Sequence, residues 1–414
     1  MDFSMSPKGA DYLARVKAFM DEHVHPNEQR YWDEMEASGD PNHHPDIVEE
    51  LKAKAKAQGL WNMFLPDEED GAGLSVTDYA PIAEETGRVL WFAPEVFNCA
   101  APDTGNMEIL HMFGTPEQKE RWLHPLLEGE IRSAFSMTEP DTASSDARNI
   151  RSRITPDGDD YVVSGRKWYS SGFSGKRCAF TIFMGVTNPD ADPYHRQSMI
   201  IVPKDAEGVE VEKELEVFGY HDRSGHPQVA FHDVRVPKEH LLGDEGSGFA
   251  IAQARLGPGR IHHCMRAIGM AERAFDMMCS RALARETFGK TVADHDTVRE
   301  IIAEARMRIE QARLLTLKTA WLIDTQGVKG ARIEISAIKV AVPRMAQWVL
   351  DQAMQVFGGA GFTQDFPLAM MYAQARTLRM ADGPDAVHLR TLARREIRRY
   401  EADFVPEPWP HEGA

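Results

Sequence analysis

Hydrophobic period changes twice along this chain, and that double change restricts the fold more than any other feature. From Asp11 to about Glu130 apolar residues recur three and four apart, as in Ile47 to Leu60 and Tyr79 to Val89, which predicts helices. Leu65-Pro-Asp-Glu-Glu-Asp-Gly-Ala-Gly-Leu74 interrupts them as a loop, and its Gly71-Ala-Gly73 is too short for a phosphate-binding motif. From Ile131 to about Val236 the period falls to two. Tyr161-Val-Val-Ser, Ala179-Phe-Thr-Ile-Phe, Ser198-Met-Ile-Ile-Val and Val229 to Val236 read as strands, with a turn at Pro156-Asp-Gly-Asp159. Several short antiparallel strands predict a barrel or sandwich. After Leu241-Leu-Gly-Asp-Glu-Gly-Ser-Gly248 the helical period returns near Phe249 to Leu283, His295 to Thr325, Ile333 to Val356 and Ala386 to Tyr400, which predicts a helix bundle with a kink at Pro343. The chain is expected to divide into an α-helical domain (1–130), a β-domain (131–242) and a helix-bundle domain (243–414).

A length of 414 residues agrees with two or three domains, and 43% apolar with 27% charged residues is ordinary globular composition. No apolar run is long enough to span a bilayer, and neither end carries a recognisable targeting or lipidation signal, so a cytoplasmic protein is expected. A net charge of -17 opposes nucleic-acid binding. An anionic ligand would need a local basic site; seven arginines between Arg376 and Arg399 could supply one, or could be a solvated helix face. Cys99, Cys178, Cys264 and Cys279 show no Cys-x-x-Cys spacing, which predicts buried thiols without zinc or disulfides. No metal site is expected at His43-His44 or His262-His263, because adjacent helical residues diverge.

The ordered strand, Gly-x-Gly-x-x-Gly turn and helix of a nicotinamide-binding unit is missing, so a dinucleotide would have to bind in another way. The hydroxyl-rich Phe135-Ser-Met-Thr-Glu-Pro-Asp-Thr-Ala-Ser-Ser-Asp146 and the segment Gly165-Arg-Lys-Trp-Tyr-Ser-Ser-Gly172 combine groups suited to a flavin ring. Near the end, Arg379-Met-Ala-Asp-Gly-Pro-Asp-Ala-Val-His388 sets Asp382 before Gly383 and Pro384, either as a helix cap or as a general base.

These segments, with Val-x-Phe-x-x-Val-x-Val-Pro237, Gly248-Phe249, Arg285-Glu-Thr-Phe-Gly-Lys290 and Gln355-Val-Phe-Gly-Gly-Ala-Gly-Phe362, run in the order of the acyl-CoA dehydrogenase family, which the chain resembles. Leu256-Gly-Pro-Gly-Arg-Ile-His-His-Cys-Met-Arg266 and Ala381-Asp-Gly-Pro-Asp385 are most similar to a branch fused, in animals, behind a phosphotransferase-like kinase domain. The resemblance implies an α+β fold of an N-terminal α-helical domain, a middle β-barrel domain and a C-terminal four-helix bundle. It implies FAD held between the last two and shared between the subunits of a homodimer or homotetramer.

Carried over by resemblance, Met137, Thr138, Trp168 and Ser170 contact the flavin, in a segment one residue shorter than the common form, so Tyr169 could share the wall. Arg285, Thr287, His295, Gln355, Gly358 and Gly359 reach the cofactor from a neighbouring subunit, although Asp296 stands where the family has Gln beside His295. Ser145, Arg260 and Gly383 face the thioester ligand, Arg260 from a Gly-Pro-Gly-Arg turn that could also mark a helix start. Asp382 occupies the position of the catalytic Glu, one methylene shorter, and Pro384 replaces a residue that often carries a hydroxyl for the flavin. The implied reaction removes an α-proton and a β-hydride from an acyl-CoA, as in β-oxidation, with electrons passed to an electron-transfer flavoprotein. Two alternatives stay open: a flavin oxidase of small carbon acids such as nitroalkanes, and a non-catalytic acyl-CoA-binding homologue.

Overall fold

The computed structural model describes residues 3–221, 225–398 and 400, the side chains of 256–258 excepted. The first region forms helices α1 (Pro7–Phe19), α2 (Glu28–Ser38), α3 (Asp46–Ala57), α4 (Val76–Gly87) and α5 (Asp103–Phe113). Side-chain oxygens fix two of the starts: Ser6 accepts from the Gly9 N–H and Ser75 from the Asp78 N–H, both at 3.0 Å. A further cap on α4 comes from far along the chain. The Asp324 carboxylate accepts from the Val76 and Thr77 N–H groups at 2.9 and 2.8 Å, and from the Thr77 hydroxyl at 2.6 Å, fastening the first region to the third.

Eight strands form the second region: β1 (Arg132–Ser136), β2 (Arg153–Asp157), β3 (Asp160–Lys167), β4 (Cys178–Val186), β5 (Gln197–Pro203), β6 (Val209–Lys213), β7 (Gln228–Pro237) and β8 (Leu241–Leu242). Their order is β6-β7-β3-β2-β4-β5-β8, with β1 beside β4. The sheet is mixed, which corrects the expectation of antiparallel strands alone: β1 runs parallel to β4, and β2 meets β4 in parallel at the single pair Arg153↔Val186. Alternating hydrophobicity reports which face is buried and carries no sign of strand direction. Across this thin seam the sheet curls, so that Val163, Val234, Phe183 and Ile200 share an inner core, with the Phe183 and Phe231 rings 4.8 Å apart. The other faces of β4 and β5, carrying Phe180, Ile182, Met199 and Ile201, join the helical core. Burial on both faces is why these strands read as apolar runs.

The third region comprises α6 (Gly248–Ala284), the short hairpin β9 (Glu286–Thr287) and β10 (Lys290–Thr291), α7 (Asp296–Gly330), α8 (Arg332–Phe357), α9 (Leu368–Thr377) and α10 (Asp385–Arg398). The four expected helices are present, and α9 is an unexpected fifth. α8 runs through Pro343 as one helix. Gly257-Pro258-Gly259-Arg260, expected as a turn, lies inside α6, where packing along the whole helix overrides local propensity. α6 crosses α4 at glycine: a Cβ on Gly269 would stand 1.9 Å from the Glu84 carbonyl oxygen. Cys99, Cys178 and Cys264 are buried and Cys279 half-buried, all as free thiols. Among the described residues no helix is long and apolar enough to cross a membrane.

Candidate active site

Where the three regions meet lies a cleft of about 2450 Å³. Met137 and Thr138 enter it from the end of β1, Trp168 and Tyr169 from the end of β3, Arg255 and His263 from α6, and Asp382 from the turn between α9 and α10.

That turn is held by basic side chains from several elements. Lys339, 1% exposed on α8, donates to the Leu378 carbonyl at 2.9 Å. Arg260 Nη2 and His388 Nε2 both donate to the Asp382 carbonyl, at 3.2 and 3.1 Å. Asp385, the first residue of α10, accepts from Arg344 at 3.0 Å and from Arg379 at 3.0 and 2.8 Å. Asp382 itself adopts φ +54°, a conformation that Asp tolerates better than most residues, and Gly383 follows at φ +105°. The expected cap at the start of α10 is therefore not made by Asp382, whose side chain points into the cleft, 3.6 Å from His263 Nε2. Among the described residues no acceptor meets the Asp382 N–H.

Burial favours the neutral form of Asp382, but the positive charges of His263, Lys339, Arg255 and Arg260 outweigh it and hold the carboxyl down to about 2. Burial also pushes His263 down, to about 4, so at neutral pH Lys339, Arg255 and Arg260 carry this effect. The result is an ionised carboxylate beside a free amide on one residue. Burial likewise lowers His388 to about 4, which leaves it neutral and able to donate to the Asp382 carbonyl.

On the opposite wall, Thr138 and Trp168 bind each other: the Trp168 N–H donates to the Thr138 carbonyl at 3.1 Å, and the Thr138 hydroxyl to the Trp168 carbonyl at 2.9 Å. Beneath them the fully buried Lys167 donates to the Met137 carbonyl at 2.9 Å, to Glu139 at 2.9 Å and to the Met184 carbonyl at 2.7 Å. Tyr169, at φ +51° and 45% exposed, sets its ring 5.1 Å from that of Trp168.

Met137, Thr138, Ser145, Trp168, Arg260, Asp382, Gly383 and Pro384 line this cleft together. Ser170, expected against the flavin, is not in this lining. The positive φ of Tyr169 turns the chain, Ser170 is fully buried with its hydroxyl 2.9 Å from that of Ser136, and Ser171 takes the cleft side. Arg285, Thr287, His295, Gln355, Gly358 and Gly359 also lie outside this lining. Arg285 and Thr287 are exposed at the β9–β10 hairpin, and His295 Nε2 lies 3.2 Å from the Thr287 carbonyl. Gln355, Gly358 and Gly359 are exposed where α8 ends, with open space where a Cβ on either glycine would sit.

Several residues of the cleft had no reading of their own in the sequence. Arg255, with its guanidinium 4.1 Å over the Phe135 ring, and Glu108, buried with Oε2 unpartnered and pushed up to about 8 by burial, line its inner part. His44 does gather with Glu49 and Glu95, but Arg177 reaches both carboxylates, at 2.7 and 2.8 Å. Asp67, Asp70 and His111 form a second such group.

Models of the acyl-CoA dehydrogenase N-terminal, middle and C-terminal domains match residues 8–130, 134–234 and 246–397. The chain belongs to the acyl-CoA dehydrogenase family. Within that family it is 55% identical over 406 residues to FadE2 of Mycobacterium tuberculosis, named a probable acyl-CoA dehydrogenase, covering 98% of this chain and 99% of that protein. It is 55% identical to acyl-CoA dehydrogenase family member 11 of Gallus gallus, covering 95% of this chain but only 51% of that protein, so the chain spans about half the length of this animal relative. A solved acyl-CoA dehydrogenase homologue from Mycobacterium abscessus superposes with a TM-score of 0.93 at 50% identity, covering 96% of this chain and 100% of the other.

Proposed function

We propose that this protein is an FAD-dependent acyl-CoA dehydrogenase that converts an acyl-CoA to a trans-2-enoyl-CoA, with Asp382 as general base. The observation that carries this reading is the pairing, on one residue in the cleft, of an ionised carboxylate with an N–H that meets no acceptor among the described residues. The carboxylate takes the α-proton, and the N–H is free to hold the thioester oxygen on which charge develops. Arg260 and His388 fix the Asp382 carbonyl, and so the orientation of the peptide on either side of it.

The acyl-CoA class is supported by the basic residues of the cleft. Arg376, Arg390, Arg394 and Arg395 line it, with no carboxylate at ion-pair distance among the described residues, in a chain of net charge -17. Phosphate groups of a CoA ligand suit these guanidiniums.

The residues present also fit a flavin: two aromatic rings with Met137 and Thr138 on one wall, facing a carboxylate across a cleft large enough for cofactor and ligand together. When bound, FAD accepts the β-hydride. Met137, Thr138 and Trp168 would hold its ring system, with Pro384 at the edge. The exposed Arg285, Thr287, His295, Gln355, Gly358 and Gly359 would complete the site of a second copy, which supports a homodimer or homotetramer with shared cofactor sites. Electrons would leave to an electron-transfer flavoprotein.

The test is anaerobic titration of the yellow holoenzyme with acyl-CoAs of varied length, branching and hydroxylation. Bleaching of the flavin by at least one is expected, and the dehydrogenase reading fails if none does. The short base supports a second reading, a flavin oxidase of small carbon acids, which would release hydrogen peroxide at a rate comparable to flavin reduction.

A further inference from the structure

Adjacent residues on a helix face different ways, and the rings of His262 and His263 meet different surroundings. His262 is buried against Tyr79 and Phe64, with ring centroids 4.8 and 6.3 Å away. His263 turns to the cleft, with Nε2 3.6 Å from Asp382 Oδ2. Among the described residues the His263 ring makes no hydrogen bond, and the ion-pair contact of its Nε2 is the one to Asp382.

A carboxylate that takes a proton from carbon must release it before the next turnover. The Asp382 side chain is only 19% exposed, and its other charged neighbours, Arg255, Arg260 and Lys339, are cations with no proton-accepting lone pair. His263, 29% exposed, is the neutral base next to it and the more open of the two.

We propose that His263 is the proton relay of Asp382, a role that rests on the reading of Asp382 as base. The α-carbon–hydrogen bond breaks as the Asp382 O–H forms. That O–H then breaks as the proton passes to His263 Nε2, which restores the carboxylate, and the imidazolium gives the proton to water in the cleft. The 3.6 Å gap is closed by rotation of either side chain. Burial pushes His263 down, Asp382 pushes it back up, and Arg266, Lys339 and Arg255 lower it again, leaving it at about 4. It is thus neutral at pH 7, with Nε2 on the side of Asp382 Oδ2.

The experiment uses the holoenzyme in D2O with 3,3-dimethylbutanoyl-CoA, which carries α-hydrogens and no β-hydrogen, so deuterium enters the α-position without flavin reduction. Mass spectrometry reads the exchange. Asp382→Asn is expected to abolish it. His263→Asn is expected to slow it roughly ten- to a hundredfold, within the range of a positioned acid–base group, with ligand affinity and flavin content unchanged. Added imidazole should restore exchange in His263→Ala, and more basic imidazoles should restore more. Wild-type exchange in His263→Asn, or slow exchange that no imidazole restores, overturns the relay and leaves the base in place. Wild-type exchange in Asp382→Asn overturns the base, and the relay with it.

Discussion

Gly383 is where the geometry of the base can be tested most sharply. Its φ of +105° is one that residues with a Cβ rarely adopt, and a Cβ there would stand 2.8 Å from His388 Nε2, the atom that donates to the Asp382 carbonyl. Gly383→Ala therefore meets two costs. Holding the backbone in place costs roughly 1–3 kcal/mol, and displacing His388 loses a hydrogen bond of about 0.5–1.5 kcal/mol. Together they come to about 1.5–4.5 kcal/mol if the turn keeps its shape. The turn is half-buried and tied on both sides of residue 383, so any strain that is relieved is relieved by a small displacement of Asp382 itself. A displacement of about 1 Å in a reacting group can cost on the order of 10² in rate. Expected, then, are a small drop in the urea midpoint and a roughly hundredfold slower flavin bleaching by acyl-CoA in anaerobic stopped flow. His388→Ala in the same chain removes the clash, so the double variant should lose less than the two single losses added together. Wild-type rate and midpoint in Gly383→Ala, or strict additivity with His388→Ala, would refute the account of this turn.

Other perturbations follow from the same contacts. Asp382→Asn should lower the bleaching rate by about 10²–10⁴ while flavin stays bound, read by its absorbance after gel filtration. The carboxyl of Asp382 is depressed in the folded chain, so its ionised form stabilises the fold above the ordinary value of 3.8, and that stability is lost as pH falls towards about 2. Asp382 should accordingly give no acid limb to the rate between pH 8 and 5; Lys339→Met, which removes one of the depressing charges, should move that limb upward. Glu108 is shifted the other way, to about 8, so its ionisation destabilises the fold as pH rises from its ordinary 4.5. Glu108→Gln should gain stability over wild type by up to about 1.4 kcal/mol per pH unit across that window in denaturation series, and show no such gain below pH 4. Arg394→Gln with Arg395→Gln should raise the KM for acyl-CoA with little change in kcat, and flatten its dependence on salt.

The three-region architecture was legible because each region buries one face of regular elements, and burial writes its period into the sequence. Strand direction was not: β1 and β4 pair in parallel, and the same alternation serves either sense. Residues that follow one another across the site, such as Asp382, Gly383 and Pro384, were also readable, because the motif is local. Lys339 and Arg255 come from α8 and α6, and no spacing in the sequence links them to residue 382; His388 lies in the same segment, but nothing local shows its ring turning back to the Asp382 carbonyl. Ser170 lies outside the cleft lining for a local reason that the sequence conceals: Tyr169 takes a positive φ, Ser170 turns inward to Ser136, and Ser171 takes the cleft side.

The same reasoning bears on the missing methylene of the base. A carboxylate on a shorter stem can hold a fixed position only if its backbone is fixed, since it has one fewer rotor with which to search. Here the backbone is over-determined: Lys339 holds Leu378, Arg260 and His388 hold the carbonyl of residue 382, and Arg344 and Arg379 hold Asp385. Pro384 adds to this, because its ring disfavours helical conformations at the residue before it and so keeps the chain from drawing position 383 into α10. The basic residues of this turn thus act twice. They pin the peptide that carries the base, and with Arg255 their charge keeps that base ionised, which trades proton affinity for a carboxylate that is always ready to accept. A neutral imidazole 3.6 Å away is the complement of that trade, since it sets a second proton acceptor on the more open side of the carboxylate.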